Sequence, residues 1–357
     1  MPKKSTSTGP FSITIDPGCY TGVYQVWEQN VAKLGAAAGM WTLRLEAGKY
    51  EILVAAGTIS FSISATGAIQ NVTPSNSAFL APETKDHLIF GNSKIVIDPD
   101  VYDGTYYPAG NDGDTMIPLR GRKTIVVVPG LKWYVWVYGR YGGTQILFDV
   151  DARGRIVASS VTPTGSAVAD GSRLLLQTTA IIVDPTDFTS GYILAGHYCE
   201  PSNGKLEFAL IKALTCYIEF YGCGSTHEVV FEVDSNGAIN PRSVSNRQAV
   251  TAVNLSVPGP SAKLVVNTQP VFVSTDFTGR YRIGSRYFQK AVSKPGKKGR
   301  KDRTPDLVMV KNFGTIISII ETATVDITPL QTGMSPAEAL VQDADGGIQK
   351  FDFAYSG

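Results

Sequence analysis

The sequence predicts an all-β protein, built as four tandem β-sandwich units of about 85 residues each. Three observations support this fold class. Apolar and polar residues alternate with a period of two, as in 132–138, which is the pattern of a β-strand. Glycine or proline turns recur about every ten residues, as they do in sandwiches and barrels. In addition, one pattern of residues returns four times along the chain.

The first recurring element is a strand that runs into an Asp-Pro turn and then reaches an aromatic residue. Proline fixes its own φ angle and aspartate hydrogen-bonds to nearby backbone, so this pair favours a tight turn. The fourth copy is weaker because it lacks the Asp-Pro pair. The aromatic residues of the four copies are Tyr20, Tyr102, Phe188 and Phe277.

A second element recurs later in each copy, where a strand ends in a turn of the form Phe-x-(Val/Ile)-x-x-x-Gly-x-Ile. Three copies carry the whole turn, at 61–69, 148–156 and 231–239, and the fourth has lost the glycine. A proline follows in every copy, 54, 61, 53 and 52 residues after the aromatic residue. Such regular spacing indicates duplication of one ancestral segment.

These repeats divide the chain into four predicted units, 1–95, 96–182, 183–270 and 271–357. Each has the length for two packed sheets of jelly-roll or immunoglobulin-like type. The predicted boundaries fall inside alternating strands rather than in flexible linkers, so we expect neighbouring units to share boundary strands and to be rigidly coupled. Helix is expected only as short pieces, over 27–34 and from Ser335 to Glu338.

Composition limits the function classes. The basic start is followed by Ser-Thr-Ser-Thr-Gly-Pro rather than an apolar stretch, which predicts no signal peptide and synthesis in the cytoplasm. Glycine, proline and charged residues interrupt every apolar run before the roughly 20 residues that cross a bilayer, so no membrane span is expected. Four cysteines that do not follow the repeat predict no disulfide framework.

The strongest candidate site is a basic segment at 290–303, which carries seven cationic side chains and one acid, Asp302. Its net charge is +6, and since the whole chain carries +1, the remainder carries −5. The pattern fits either a solvated loop or contact with a polyanion or protein partner. The cationic residues are Lys290, Lys294, Lys297, Lys298, Arg300, Lys301 and Arg303.

Two possible metal sites have simpler explanations. Asp149 with Asp151, and the run from Glu232 to Gly237, resemble half of a calcium loop, but the equivalent turn of the first copy has hydroxyl residues instead. A hairpin turn explains them better. In the third copy, His197, Cys199, Cys216, Cys223 and His227 match no zinc module. We therefore predict no metal and no cofactor.

Aromatic residues occupy both faces of the strand around Trp133, which predicts burial more than a surface that stacks on sugar rings. No nucleophile elbow or phosphate-binding loop is present, and no catalytic residue is predicted. The segment after each aromatic strand differs between copies, and such loops carry the individual contacts of a repeat protein. These segments are 27–40, 108–116, 197–205 and 287–304.

Taken together, the sequence favours a non-enzymatic structural protein. We expect it to assemble with copies of itself, or to decorate a larger particle such as a phage virion or a surface appendage. One alternative is an array of carbohydrate-binding or adhesive modules that uses the variable segments. A second alternative is a polysaccharide-degrading enzyme, which needs a cleft with two carboxylates about 5 to 10 Å apart.

Overall fold

A computed structural model describes residues 9–54, 57–109, 118–138, 144–188, 190–200, 204–221, 228–255, 259–273, 279–283, 286–290, 307–313, 318–322, 340–343 and 348–350. The chain divides into two compact units. One comprises Met1–Thr178 with Ile211–Leu214, and the other Thr179–Leu210 with Thr215–Gly357. The division falls in the strand Thr178–Asp184, where the sequence analysis also places a boundary. The division of the chain into four units remains a prediction.

The first predicted unit contains two sheets, which we call the closing sheet (β4-β1-β9-β8) and the central sheet (β3-β2-β5-β6-β7). The ring of Tyr24 from the central sheet meets that of Phe90 from the closing sheet at 5.4 Å between centroids, so the two sheets pack face to face. The strands β1 to β9 are Phe11–Asp16, Tyr24–Glu28, Val31–Ala37, Trp41–Leu45, Gly48–Val54, Gly57–Ile63, Ile69–Thr73, Ala78–Leu80 and His87–Phe90.

The second predicted unit has the closing sheet β12-β10-β16-β15 and the central sheet β11-β13-β14. A single 3₁₀ turn, Ala158–Ser160, follows β14. The strands β10 to β16 are Ser93–Asp98, Tyr106–Pro108, Lys123–Val127, Lys132–Val137, Thr144–Asp149, Ala167–Asp170 and Arg173–Leu176.

The third predicted unit repeats this arrangement, with the sheets β20-β17-β24-β23 and β19-β18-β21-β22. The strands β17 to β24 are Thr178–Asp184, Tyr192–Leu194, His197–Cys199, Leu206–Ile211, Thr215–Phe220, Glu228–Glu232, Val250–Asn254 and Ala262–Val266.

The fourth predicted unit has the sheets β28-β25-β30-β31 and β27-β26-β29. Its strands β25 to β31 are Thr268–Val273, Gly279–Ile283, Arg286–Lys290, Leu307–Val310, Ser318–Thr322, Leu340–Asp343 and Ile348–Lys350. The all-β prediction is confirmed, since the described residues hold no helix longer than the 3₁₀ turn. No helix in this described part has the length or apolarity to cross a membrane.

Strand pairing in the closing sheets follows one rule in the first three units. The first strand pairs in parallel with the last strand, as β1 does with β9, β10 with β16 and β17 with β24. The fourth unit differs, because β25 has β30 beside it in antiparallel orientation. Closure of each unit therefore joins residues about 80 positions apart, which the local sequence pattern cannot specify.

The predicted Asp-Pro turns share one geometry. The first Oδ of Asp16, Asp98 and Asp184 accepts a hydrogen bond from the backbone N–H two residues later, at 2.8 to 3.1 Å. That later residue has positive φ in all three copies. The aromatic residue that follows is buried each time, so the recurring motif directs one ring into each core.

The junctions differ from the prediction in one respect. Each boundary strand, such as β10, is hydrogen-bonded in the following closing sheet and not in the preceding one, so it is not shared between two units. Instead, very short links join the sheets: Gly91 with Asn92, then Gln177, then Asn267. Links of one or two residues leave little freedom between consecutive strands.

A backbone contact recurs at these links. Lys212 N–H donates to Gln177 O at 2.8 Å, and Lys311 N–H donates to Asn267 O at 2.9 Å. Pro129 stands at the equivalent place in the second unit and has no N–H to donate. There the Pro129 carbonyl instead accepts a hydrogen bond of 2.6 Å from the buried Ser77 hydroxyl.

In the second and third units, the second Oδ of the turn aspartate binds a cation on the last strand of the closing sheet. Asp98 receives two hydrogen bonds from Arg173, at 2.7 and 3.0 Å, and lies 3.7 Å from Arg122. Burial acts to raise the pKa of Asp98, yet the Asp100 N–H and the two guanidinium groups outweigh it and lower that pKa. The ion pair thus fastens the parallel strands β10 and β16.

Asp184 repeats this clasp with Lys263, and with Lys205 at 3.3 Å. Its pKa is also lowered, because these ammonium groups and the Thr186 N–H outweigh the effect of burial. In the first unit, His87 Nε2 lies 3.6 Å from Asp16, beyond hydrogen-bond distance. The aspartate is common to the three turns, and the residue that faces it on the last strand differs.

We expect Asp98→Asn to destabilise the second unit by about 1 to 2 kcal/mol, because it removes charge-assisted hydrogen bonds from a mostly buried group. Chemical denaturation would give the loss, and hydrogen exchange should locate it in β10 and β16. Glu83→Gln is the control, since Glu83 is an exposed carboxylate. Equal effects of the two substitutions would show that the clasp contributes nothing.

The same clasp predicts a pH dependence. The folded state lowers the pKa of Asp98, so the stability it adds is present above the unfolded pKa of about 3.9 and is lost as pH falls through the folded value. The difference in stability between the wild type and Asp98→Asn should therefore stay constant from about pH 7 to 5 and shrink below about pH 4. Denaturation series across this range would test it, and a difference that widens on acidification contradicts the assignment.

Candidate assembly surface

The four variable segments of the sequence occupy equivalent places in the topology. Each segment leads from the edge strand of a central sheet to the edge strand of a closing sheet. In chain order, the pairs of edge strands are β3 and β4, β11 and β12, β19 and β20, and β27 and β28. We call these connections the crossovers. A repeated frame therefore presents four different sequences at one kind of position.

The first crossover is the most apolar exposed part of the described residues. We call Val31–Leu45 the apolar margin; it comprises β3, the connection 38–40 and β4. The sequence of the margin contains two basic residues and no acid. Val31 is 58% exposed, Met40 65% and Trp41 46%. Met40 and Trp41 are adjacent in the chain, whereas Val31 lies at the other end of β3; neighbouring exposed apolar side chains commonly mark an interaction surface.

The backbone of the apolar margin is also incompletely paired. Among the described residues, β3 has only β2 beside it in the central sheet, and β4 has only β1 beside it in the closing sheet. All but two residues of β3 are exposed. The outer edge of β3 carries unpaired N–H and C=O groups, although two register shifts in its pairing with β2 make the strand irregular.

The charges of the margin are already bound within the unit. Lys33 Nζ lies 2.7 Å from the Glu28 carboxylate, and Arg44 donates to the Ser12 hydroxyl at 3.2 Å. Charged side chains on an edge strand usually discourage pairing with another chain. Here Lys33 carries its own counterion, which weakens that protection.

The predicted helix over 27–34 is wrong, because these residues form the hairpin of β2 and β3. Gln29 and Asn30 make its two-residue turn, and both have positive φ, 43° and 69°. A turn with two positive φ angles matches the twist of a hairpin, and asparagine tolerates that conformation. The Gln-Asn pair between two apolar runs was the sequence signal that could have revealed this strand.

The basic segment at 290–303 is the fourth crossover, since it leads from β27 towards β28. Only the backbone of Lys290 lies in the described part, where it pairs with Gly279. Lys294, Lys297, Lys298, Arg300, Lys301 and Arg303 lie outside the described residues. Polyanion contact by this segment stays a prediction.

The calcium-like turns are hairpin turns. Asp151 Oδ1 accepts the N–H groups of Arg153 and Arg155 at 2.9 and 2.8 Å, and Asp234 Oδ1 does the same within its own turn. Ser64 Oγ takes this role in the first unit, so a hydroxyl can replace the carboxylate. The described residues contain no cluster of side chains that could hold a metal ion.

The cysteines described in the third unit have buried thiols. Burial raises the pKa of both Cys199 and Cys216, which makes them poor nucleophiles and poor metal ligands at neutral pH. Cys223 and His227 belong to the same sequence cluster and lie outside the described residues.

The aromatic strand β13 is buried mainly through one face. Trp133 is fully buried and donates its indole N–H to Val128 O at 3.0 Å. Tyr134 and Trp136 on the other face are half-buried, with ring centroids 5.9 Å apart. β13 therefore contributes mainly to the core of its unit.

The third crossover contains an exposed aromatic ring in a fixed position. Tyr198 on β19 is 46% exposed, and its hydroxyl donates to Glu200 at 2.7 Å. Its ring meets Tyr221 edge-on at 5.3 Å between centroids. A Cβ at Gly191 would lie 2.6 to 2.8 Å from the Tyr198 ring and hydroxyl, so the glycine makes room for this placement.

Neither the known protein families nor the curated protein sequences contain a match to this chain.

Proposed function

We propose that this chain is a non-enzymatic structural protein whose β-units present contact surfaces for assembly. The observation that carries the proposal is the apolar margin at Val31–Leu45, which combines exposed apolar side chains with two open strand edges. Assembly takes place between copies of the chain or on a larger particle such as a virion or surface appendage.

The exposed apolar area of the margin is large enough to contribute to association. Val31, Met40 and Trp41 together expose on the order of 300 Å² of side chain. At about 25 cal/mol per Å², covering this surface contributes several kcal/mol, which competes with the cost of association. This supports reversible contacts that become strong when many copies assemble together.

The frame supports the same role. Links of one or two residues join successive sheets, and recurring backbone hydrogen bonds brace them. A repeated frame of this kind gives one chain several crossovers, so several weak contacts can be made by the same molecule.

We expect the full chain to associate with a concentration dependence that light scattering detects, and Met40→Lys with Trp41→Lys to weaken association at least about tenfold, because each places a charge in a buried contact. Val101→Lys is the matched control, since Val101 is 67% exposed and lies outside the margin. A chain that stays monomeric up to about millimolar concentration, with no particle partner, contradicts the proposal.

Carbohydrate binding is the second candidate function, and Tyr198 is the observation that favours it. Sugar rings stack on aromatic faces that are exposed and already held in place. Tyr198 meets both conditions, because Gly191, Tyr221 and Glu200 fix a ring that is nearly half exposed.

A glycan array followed by titration calorimetry tests this second candidate. Tyr198→Ala should abolish binding to any glycan the chain recognises, while Phe79→Ala should leave it unchanged, because Phe79 is equally exposed but lies on β8 of the first unit. Glycan binding that survives Tyr198→Ala would place the sugar site elsewhere.

A further inference from the structure

We propose that the first unit contains a pH-dependent clasp, in which His87 binds Asp16 when its imidazole is protonated and so tightens the pairing of β1 with β9. Protonated His87 would then do what an arginine and a lysine do permanently in the second and third units. The clasp lies inside the first unit, so it is independent of the proposed assembly function.

His87 has the same register position as the two permanent cations. In each of the three closing sheets, the residue on the last strand lies opposite the residue two positions before the turn aspartate. The three pairs are His87 with Thr14, Arg173 with Val96, and Lys263 with Ile182. Residues two positions apart on a strand lie on the same face of the sheet, so each of these side chains points along the face that carries the aspartate.

The histidine lies close to the aspartate without a hydrogen bond. Nε2 of His87 is 3.6 Å from Oδ2 of Asp16, and this buried nitrogen has no hydrogen-bond partner among the described residues. A neutral imidazole carries a proton on one nitrogen only, whereas the imidazolium is positively charged and donates from both. Protonation therefore supplies a charge and a donor beside the carboxylate, and a movement of about 0.5 Å brings the two atoms within hydrogen-bond distance.

No permanent cation takes this place in the first unit. Among the described residues, His87 is the only ion-pair partner of Asp16 within 4 Å. Arg44 lies on β4, the other neighbour of β1, and its guanidinium donates instead to the Ser12 hydroxyl at 3.2 Å. The carboxylate of Asp16 is therefore available to a protonated His87.

The other titratable groups around the pair keep their charge near neutral pH. β8, on the far side of β9, has no ionisable side chain. Lys85 and Asp86, which precede His87 in the chain, are exposed and opposite in charge. Burial and the charge of Asp16 raise the pKa of the Tyr24 hydroxyl, which stays neutral. Histidine is the side chain whose charge ordinarily changes between about pH 5 and 8.

The direction of the pH dependence follows from this pairing. A histidine that gains an anionic partner on folding adds stability that is fully present below its unfolded pKa of about 6.5 and is lost as the pH rises above it. The arginine of the second unit stays charged throughout this range. Acidification from about pH 7.5 to 5.5 should therefore tighten β1 against β9 and leave β10 and β16 unchanged.

Hydrogen exchange of the full chain at about pH 7.5 and about pH 5.5, corrected for the intrinsic exchange rate, tests this proposal. The side chains of His87 and Asp16 are 29% and 30% exposed, so the protection of β1 and β9 should rise about two- to fivefold at the lower pH, as for a partly exposed ion pair. β10 and β16 are the internal reference.

Three variants assign the response to this pair. His87→Gln and Asp16→Asn should each remove the rise; the asparagine oxygen can still accept the Gly18 N–H that the aspartate holds. His87→Arg should give high protection at both pH values. His197→Gln is the matched control, because it removes a histidine of the third unit and should leave the response intact.

A rise in β1 and β9 that is lost in His87→Gln and kept in His197→Gln supports the clasp. Equal or lower protection of the wild-type strands at the lower pH overturns it, and so does a rise that survives His87→Gln. If His87→Gln does not fold, His87→Arg decides the matter, since protection that still changes with pH in that variant also overturns the proposal.

Discussion

The parallel pairing of a first strand with a last strand, next to the aspartate of the Asp-Pro turn, is the constraint on which the best-described units depend. It brings residues about 80 positions apart into one sheet in three successive copies. Asp98 and Asp184 each have two roles, because one oxygen fixes the turn and the other binds a cation on the last strand. Turn formation and closure of the sheet are thereby coupled through one side chain.

The crossovers take no part in that strand pairing, and their sequences differ between the copies. The crossovers lie between edge strands, where few backbone groups need a partner from the same unit, although Lys205 of the third crossover also contacts the clasp aspartate Asp184. The first crossover is apolar, the third exposes Tyr198, whose ring is fixed by its neighbours, and the fourth is strongly basic in sequence. The strand arrangement repeats along the chain while the sequences of the crossovers differ, and this property links the fold to the proposed assembly role.

The edge strands also explain why the proposed assembly surface is difficult to recognise in sequence. Trp27 to Leu34 has the spacing of a short helix, yet the Gln29-Asn30 turn makes it a hairpin whose second strand protrudes from the core. Its exposure could not be predicted, because apolar residues such as Val31 and Leu34 read equally well as buried. The structure shows that Val31 is 58% exposed and that the outer edge of β3 has no hydrogen-bonded strand among the described residues.

Sequence alone determined the all-β class and the recurring Asp-Pro and glycine turns. These are local properties, since turn geometry and strand alternation depend on residues a few positions apart. Tertiary structure alone decided that Arg173 and Lys263 clasp the turn aspartates, that boundary strands belong to one sheet only, and that Val31–Leu45 lies at an open edge. Each depends on strands that meet across long separations, where pairing is set by packing of the whole unit rather than by any local signal.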